Sequence, residues 1–260
     1  MFIEAPGAWI CPVDIAFIVD TSSTIWIEDF KQQINFIHDI VKILDIGLGP
    51  KQSRVAIVSY SNNLQVETDF SYNHNRRDVL KVIDKIEHAH GDATRTYLAL
   101  EYVHDTIFAP GKGERPEVTN VVIVLTDGVT NAATYDPYTE EEGRKQTQIQ
   151  ANRLKALPAS VFAIGIGNKV DRDEIIGIAS KPSDTYSFFV KSYGKLNTGL
   201  IKNAVMRTLC FDRKCILNAN TVLIYFLLFC NHQVSNIYRL VQFCLTIMIL
   251  ITSNINIHLV

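Results

Sequence analysis

Five residues with oxygen-bearing side chains lie at the ends of predicted strands and helices, in three separate parts of the chain. Asp20, Ser22 and Thr24 follow an apolar run, and their spacing of two residues directs three oxygens the same way in an extended turn. Thr94 precedes a predicted helix, and Asp127 follows a second apolar run. Two carboxylates and three hydroxyls form an all-oxygen set, which suits Mg²⁺, Mn²⁺ or Ca²⁺ rather than zinc.

Such a set indicates binding chemistry rather than bond making. If the three hydroxyls bind a cation directly and the two carboxylates act through water, the cation stays electrophilic and accepts a carboxylate from a partner. Taken one at a time, the segments have ordinary structural explanations: Ser and Thr favour helix N-caps, and Asp127-Gly128 is a common turn pair. A shared site is favoured because all three segments are predicted to lie at the same edge of a sheet.

Apolar runs of strand length alternate with helical patterns, and this alternation predicts the sheet that positions these residues. We predict strands at residues 14–19, 54–60, 64–70, 120–126, 160–166 and 186–190, and helices at residues 26–44, 75–87, 96–108, 140–157, 171–179 and 195–209. Residues 64–70 directly follow Ser61-Asn62-Asn63, which predicts an antiparallel edge strand. The predicted fold class is α/β, a doubly wound, mostly parallel six-stranded sheet with helices on both faces. Ligand sites of such sheets lie beyond the carboxyl ends of the strands.

The composition fits one such domain with an additional segment. The chain has 260 residues, of which 47% are hydrophobic, enough for an α/β core of about 200 residues. A formal net charge of -2 without a basic block argues against a nucleic-acid partner. The five cysteines include no CxxC pair, which argues against zinc, and none lies between Cys11 and Cys210. Spacing alone leaves two explanations for this pair, a disulfide that closes the domain or two unrelated buried thiols.

The two ends of the chain differ in composition from the part between them. Residues 1–10 are interpreted as a short N-terminal stub, and we expect no signal peptide there because the segment lacks a basic region and carries Glu4. Residues 211–260 form an apolar tail, and from residue 216 onward it contains no Asp, Glu or Lys. Its uninterrupted apolar runs are shorter than the ~20 residues of a membrane helix. We interpret the tail as non-native sequence or as a weak membrane segment, and expect no other membrane contact.

The motifs in combination resemble those of von Willebrand factor A domains. The Asp-x-Ser-x-Thr run at residues 20–24, the Gly-x-x-Thr-x-Thr run at residues 91–96 and the Thr-Asp-Gly at residues 126–128 are similar to the metal-ion-dependent adhesion site of that family. Further similar stretches lie at residues 11–20, 55–61 and 161–167, in the family's order. The resemblance covers residues 11–210, and each motif alone is far less specific than the combination.

The resemblance implies a role for each site residue and a setting for the protein. It implies that Ser22, Thr24 and Thr94 bind a cation through their hydroxyls. Asp20 and Asp127 would act largely through water, or directly as the site switches state. The cation would be Mg²⁺, or Mn²⁺ or Ca²⁺ in its place.

The similar domains of matrilins and type VI collagen imply an extracellular, cation-dependent adhesion module. It would bind a matrix or cell-surface protein through an acidic side chain of that partner. The same likeness implies a Cys11–Cys210 disulfide. Two departures from the family pattern are Thr24, where Ser is commoner, and Tyr97, where Gly is frequent and where we expect a stiffer loop.

Other functional classes are less well supported by the sequence. A nucleotide-binding first turn needs glycines, and residues 20–25 contain none. A dehalogenase-like phosphatase needs a second Asp at the position of Ser22. A metal-dependent hydrolase is therefore a much weaker alternative than a binding module, and we predict no enzyme activity. An intracellular scaffold domain, as in copine-like proteins, is the main alternative, which the bracketing cysteines oppose. The insertion at residues 131–138 is either a partner-reading loop or a variable surface loop.

Overall fold

The computed structural model describes residues 12–72, 75–131, 136–168, 170–195, 201 and 204–205. The predicted stub at residues 1–10, the tail at residues 211–260 and both cysteines of the predicted disulfide, Cys11 and Cys210, lie outside the described residues. In the described part of the chain, no helix has the length and apolar character needed to cross a membrane.

Six strands in the described residues form one sheet, with the strand that precedes Ser22 near its centre. They are β1 (Val13–Asp20), β2 (Arg54–Tyr60), β3 (Leu64–Thr68), β4 (Thr119–Thr126), β5 (Ala159–Ile166) and β6 (Ser187–Val190). Their order is β3-β2-β1-β4-β5-β6, and every neighbouring pair is parallel except β2 and β3. The predicted mostly parallel six-stranded sheet with one antiparallel edge strand is therefore confirmed.

Helices follow the strands on both faces of the sheet, as predicted. They are α1 (Ile27–Ile43), α2 (Arg76–Ile83), α3 (Thr96–Tyr102), α4 (Glu140–Ala156), α5 (Arg172–Ile178) and α6 (Ser183–Tyr186). A π-helical turn, Val103–Ile107, continues α3 to the predicted end of that helix. Of the predicted last helix at residues 195–209, Ile201, Ala204 and Val205 are helical, and Lys195 closes a 3₁₀ turn.

Two helix predictions need correction. The predicted helix at residues 75–87 ends at Ile83, because the amides of Lys85 and Ile86 bond to carbonyls only three residues back. Ile86 is nevertheless buried, so the apolar pattern continues beyond the helix that it predicted. The turn α6 was not predicted, and it delays the last strand to Ser187.

Alternate residues of the central strands pack into two separate apolar layers, one on each face of the sheet. All eight residues of β1 are buried. Ile15 and Phe17 pack with α1 and α2 on one face, whereas Ala16 and Ile18 pack with α3, α4 and α5 on the other. Burial on both faces explains why the sequence of this strand is almost continuously apolar rather than alternating.

A buried ion pair holds the amino end of β1, at the opposite end of that strand from Asp20. The side chain of Asp14 is fully buried and that of Arg115 is 8% exposed. Nε of Arg115 donates to Asp14 Oδ1 at 3.1 Å, and the backbone N–H of Arg115 donates to Oδ2 at 2.9 Å. Burial raises the pKa of Asp14 above its ordinary value although Arg115 acts against it. The carboxylate therefore depends on Arg115 to remain charged inside the protein.

Candidate metal-binding site

The three segments singled out in the sequence meet at the carboxyl edge of the sheet. Because β1 and β4 are parallel neighbours with Val19 opposite Leu125, the segments that begin at Asp20 and Thr126 leave the sheet side by side. The third segment joins the first through its backbone, since the N–H of Ser23 donates to the carbonyl of Gly91 at 2.8 Å. Residues far apart in sequence thus share one edge.

The side-chain oxygens of two of these segments are in direct contact. The hydroxyls of Ser22 and Thr24 lie 2.9 Å apart, and the Thr24 hydroxyl donates to Asp127 Oδ1 at 3.0 Å. Thr94 lies against the segment that carries Asp127, because a Cβ built on Gly128 would meet its hydroxyl at 4.0 Å. Ser22 and Thr94 are buried, whereas Thr24 is exposed, so the cluster opens to solvent on the side of Thr24.

Asp20 faces the same cluster but is fully held by its neighbours. Its Oδ1 accepts the N–H of Ser22 at 2.9 Å, and its Oδ2 accepts the hydroxyl of Thr126 at 2.7 Å. The carboxylate is completely buried. These bonds orient the Asp20 carboxylate towards the loop and hold it away from bulk solvent.

The two carboxylates make the site unfavourable for negative charge when no cation is bound. Burial raises the pKa of Asp20, and the hydrogen bonds from Ser22 and Thr126 act against that rise. Burial first, and then the charge of Asp20, raises the pKa of Asp127 to about 6. Neither carboxylate forms an ion pair with a Lys or Arg among the described residues. A bound divalent cation would supply the missing positive charge.

The donor set also fits the type of cation. Its members are carboxylate and hydroxyl oxygens, which Mg²⁺, Mn²⁺ and Ca²⁺ prefer. Within the part of the chain that the structure describes, no group of three or more His, Cys, Asp or Glu is gathered as a metal site. A nitrogen- or sulfur-based zinc site therefore has no support among these residues.

The Thr94 loop is fixed from two sides by groups that motif reasoning did not identify. The side-chain Oδ1 of Asn131 accepts the N–H of Thr94 at 2.8 Å, and the backbone N–H of Asn131 donates to the Thr94 carbonyl at 3.2 Å. On the other side, the N–H of Ala93 donates to Asn62 Oδ1 at 2.8 Å. The residue type offers a weak signal here, because Asn62 and Asn131 lie in segments that connect strands and helices, where Asn is common anyway.

A buried carboxylate in the 131–138 insertion anchors that insertion beside Thr94. The Tyr97 hydroxyl donates to Asp136 Oδ2 at 2.7 Å, and Arg95 Nε lies 2.6 Å from the same oxygen. Burial and Asp136 both raise the pKa of Tyr97. The ring of Tyr138 packs edge-on to that of Tyr97 at 5.5 Å. Tyr97 therefore links the Thr94 loop to Asp136, and residues 132–135 of the insertion lie outside the described residues.

The fold and the edge site define a doubly wound α/β domain with a cluster of oxygen donors beyond its central strands. The family model of the von Willebrand factor type A domain matches residues 14–202. The chain belongs to the von Willebrand factor type A domain family, and the recognition made from the motifs is confirmed.

Similar proteins come from the extracellular matrix. Matrilin-1 of Gallus gallus is 31% identical over 183 residues, which cover 70% of this chain and 33% of that protein. The collagen alpha-5(VI) chain of Homo sapiens is 33% identical over 207 residues, which cover 78% of this chain and 7% of that one. The chain thus spans a third or less of these two relatives, and both are structural proteins rather than enzymes.

The fold also matches solved structures of proximal thread matrix protein 1 from the mussel byssus. One of them, with a zinc-occupied MIDAS motif, has a TM-score of 0.65 and 24% identity over 75% of this chain and 47% of that chain. At that identity the likeness supports the fold alone.

Proposed function

We propose that this domain is a divalent-cation-dependent adhesion module. Its site binds Mg²⁺, or Mn²⁺ or Ca²⁺ in its place, and the cation accepts a carboxylate from an extracellular matrix or cell-surface protein. The observation that carries the proposal is the contact between oxygens from separate segments, Ser22 to Thr24 at 2.9 Å and Thr24 to Asp127 at 3.0 Å.

The environment of each donor assigns its role in this proposal. The hydroxyls of Ser22, Thr24 and Thr94 are neutral, so they bind a cation without neutralising it. Asp20 is held by the Ser22 amide and the Thr126 hydroxyl, and it acts largely through water, or directly as the site switches state. Asp127 lies closer to the open side and supplies the second negative charge. A cation with this set keeps enough positive charge to bind one further carboxylate, which enters beside Thr24.

The setting follows from the relatives. Matrilins and collagen chains are matrix proteins, and we extend that setting to this chain as part of the proposal. The cation is proposed from the donor set of this chain, whose all-oxygen composition favours Mg²⁺ over zinc.

The proposed Cys11–Cys210 disulfide separates this setting from the intracellular scaffold alternative. If the domain is extracellular, peptide mapping of the protein from its native source by non-reducing mass spectrometry is expected to recover Cys11 and Cys210 in one linked fragment. Recovery of both as free thiols would count against an extracellular location and favour the scaffold function.

Calorimetric titration with Mg²⁺ tests the cation site directly. The wild-type chain is expected to bind Mg²⁺, and Ser22→Ala is expected to weaken binding by at least about tenfold, since it removes one direct ligand. Ser23→Ala is the matched control, because Ser23 is exposed in the same loop and only its backbone contacts Gly91. Thermal unfolding in chelator checks that both variants fold.

A retention assay on immobilised matrix tests the proposed binding of a partner carboxylate by the cation. An immobilised matrix preparation is expected to retain the wild-type chain in Mg²⁺ and to release it in chelator. The proposed function would be refuted if the folded wild-type chain gave neither a heat of binding nor a rise in Tm with any of Mg²⁺, Mn²⁺ and Ca²⁺.

A further inference from the structure

A buried carboxylate of α5 contacts the segment that carries Asp127. Glu174 is 6% exposed and lies on the first turn of that helix. Its Oε1 accepts the hydroxyl of Thr130 at 2.7 Å and the N–H of Thr130 at 3.1 Å, while Oε2 lies 3.3 Å from the same N–H. One side chain therefore accepts both the N–H and the hydroxyl of a residue three positions beyond Asp127.

Thr130 is enclosed by two helices and has little freedom to move. It is completely buried, and its hydroxyl lies 2.8 Å from that of Thr147 on α4. Its methyl group would lie 3.5 Å from a Cβ added to Gly143, so α4 approaches it closely. A shift of Thr130 would have to break the bonds to Glu174 or displace α4.

Thr130 is connected to the Thr94 loop through its neighbour in the chain. Asn131 is the next residue, and it exchanges two hydrogen bonds with Thr94 at 2.8 and 3.2 Å. The contacts of Glu174 thus reach Asp127 through three residues of chain and Thr94 through two hydrogen bonds. Both are predicted ligands of the proposed cation.

We propose that Glu174 is a positioning residue of the cation site, which sets the distance between Asp127 and Thr94. The inference rests on the proposed function. Mg²⁺ demands near-ideal octahedral geometry, so a small displacement of one ligand segment weakens binding. Groups that hold the ligands of a metal site typically change metal affinity by 10–100-fold when they are removed.

Amide hydrogen exchange of the full chain in chelator tests the positioning without any metal. Glu174→Ala is expected to accelerate exchange at the amides of Thr130 and Thr94 by at least about tenfold. Glu174→Gln keeps an acceptor oxygen and is expected to restore most of the protection. If Glu174→Ala does not fold, Thr130→Val, which removes only the hydroxyl, takes its place.

Asp171→Ala is the matched control for general weakening of α5. Asp171 caps this helix by accepting the N–H groups of Asp173 at 2.9 Å and Glu174 at 3.2 Å, and it makes no hydrogen bond to Thr130. The control is expected to destabilise α5 while leaving exchange at Thr94 close to that of the wild type.

Mg²⁺ titration of the same variants provides the second readout. Affinity is expected to fall by about 10–100-fold in Glu174→Ala and by less than about threefold in Glu174→Gln and Asp171→Ala. Unchanged exchange at Thr94 in Glu174→Ala, or equal effects in Asp171→Ala, would overturn the inference. If exchange at Thr94 responds as expected but the wild-type chain binds no Mg²⁺, the positioning of Thr94 stands and the proposed function fails.

Discussion

Asp127→Asn is expected to stabilise the metal-free domain at pH 7 and, at the same time, to abolish its binding of Mg²⁺. Burial and the charge of Asp20 raise the pKa of Asp127 from its ordinary 3.8 to about 6. The folded state therefore holds this proton more tightly than the unfolded chain does. Stability from this group is fully present below pH 4 and is lost as the pH rises through about 6.

At pH 7 the metal-free domain carries the penalty of a charged Asp127, and Asn removes it. The expected gain in the free energy of unfolding is about 1–3 kcal/mol, or about 2–4 °C in Tm for each kcal/mol. An Asn side chain still offers an oxygen to the Thr24 hydroxyl, so the loop keeps its contact. Its amide lacks the negative charge that the cation needs, so binding is lost.

Thermal unfolding with and without Mg²⁺ measures both effects in one series. In chelator at pH 7, Asp127→Asn is expected to unfold at a higher temperature than the wild type, and at pH 4 the difference is expected to vanish. Added Mg²⁺ should raise the Tm of the wild type alone. Asp29→Asn removes a nearby charge outside the predicted ligand set and should keep the Mg²⁺ response.

A lower Tm for Asp127→Asn than for the wild type, in chelator at pH 7, would contradict this account. The two effects have opposite signs, so neither general misfolding nor general stabilisation reproduces them. A gain in stability together with a loss of binding is expected wherever a protein retains a destabilising charge because its ligand needs that charge.

The sequence predicted the sheet well because its signals are local. Each buried strand is a short apolar run, and the antiparallel edge strand β3 directly follows the turn at residues 61–63. The convergence of Asp20 and Asp127 also followed from local information, since the carboxyl ends of parallel strands meet at one edge. Helix ends were less predictable, as α2 shows, because the apolar pattern through Ile86 reports burial rather than helical geometry.

The residues that support the site were not predictable in the same way. Each of these residues bonds to a partner far away in the sequence. Thr126 bonds to Asp20 across 106 positions, Glu174 to Thr130 across 44, and Asp136 to Tyr97 across 39. Nothing in the sequence around a buried carboxylate distinguishes it from a solvated one, and Glu174 resembles an ordinary acidic residue in the first turn of a helix. Their roles depend on which helix packs beside which loop, which only the folded chain shows.

Arg115→Met is expected to lower the free energy of unfolding by about 3–5 kcal/mol, since it leaves Asp14 as a buried charge without its partner. Met keeps most of the apolar volume of the Arg stem, so the loss reports the guanidinium, which also contacts the carbonyls of Gly49 and Pro50 at 3.4 Å. Lys31→Met is the matched control. Lys31 pairs with Glu28 at 2.7 Å, but their side chains are 57% and 76% exposed, and water screens that pair to less than about 1 kcal/mol. Urea unfolding at pH 7 measures both variants.

The charge of Asp14 accounts for this loss only if neutralising it restores stability. Asp14→Asn combined with Arg115→Met is expected to recover most of the loss, because the Asn oxygen still accepts the backbone N–H of residue 115, which donates to Asp14 at 2.9 Å in the wild type. The raised pKa of Asp14 determines how the loss of stability depends on pH. Arg115→Met alone should lose less stability at pH 4, where the carboxyl takes up a proton, than at pH 7. Asp14 and Asp20 lie at opposite ends of β1, so Mg²⁺ affinity of the folded variant should match that of the wild type. An equal loss at both pH values would show that packing around Arg115, rather than its charge, holds this end of the sheet.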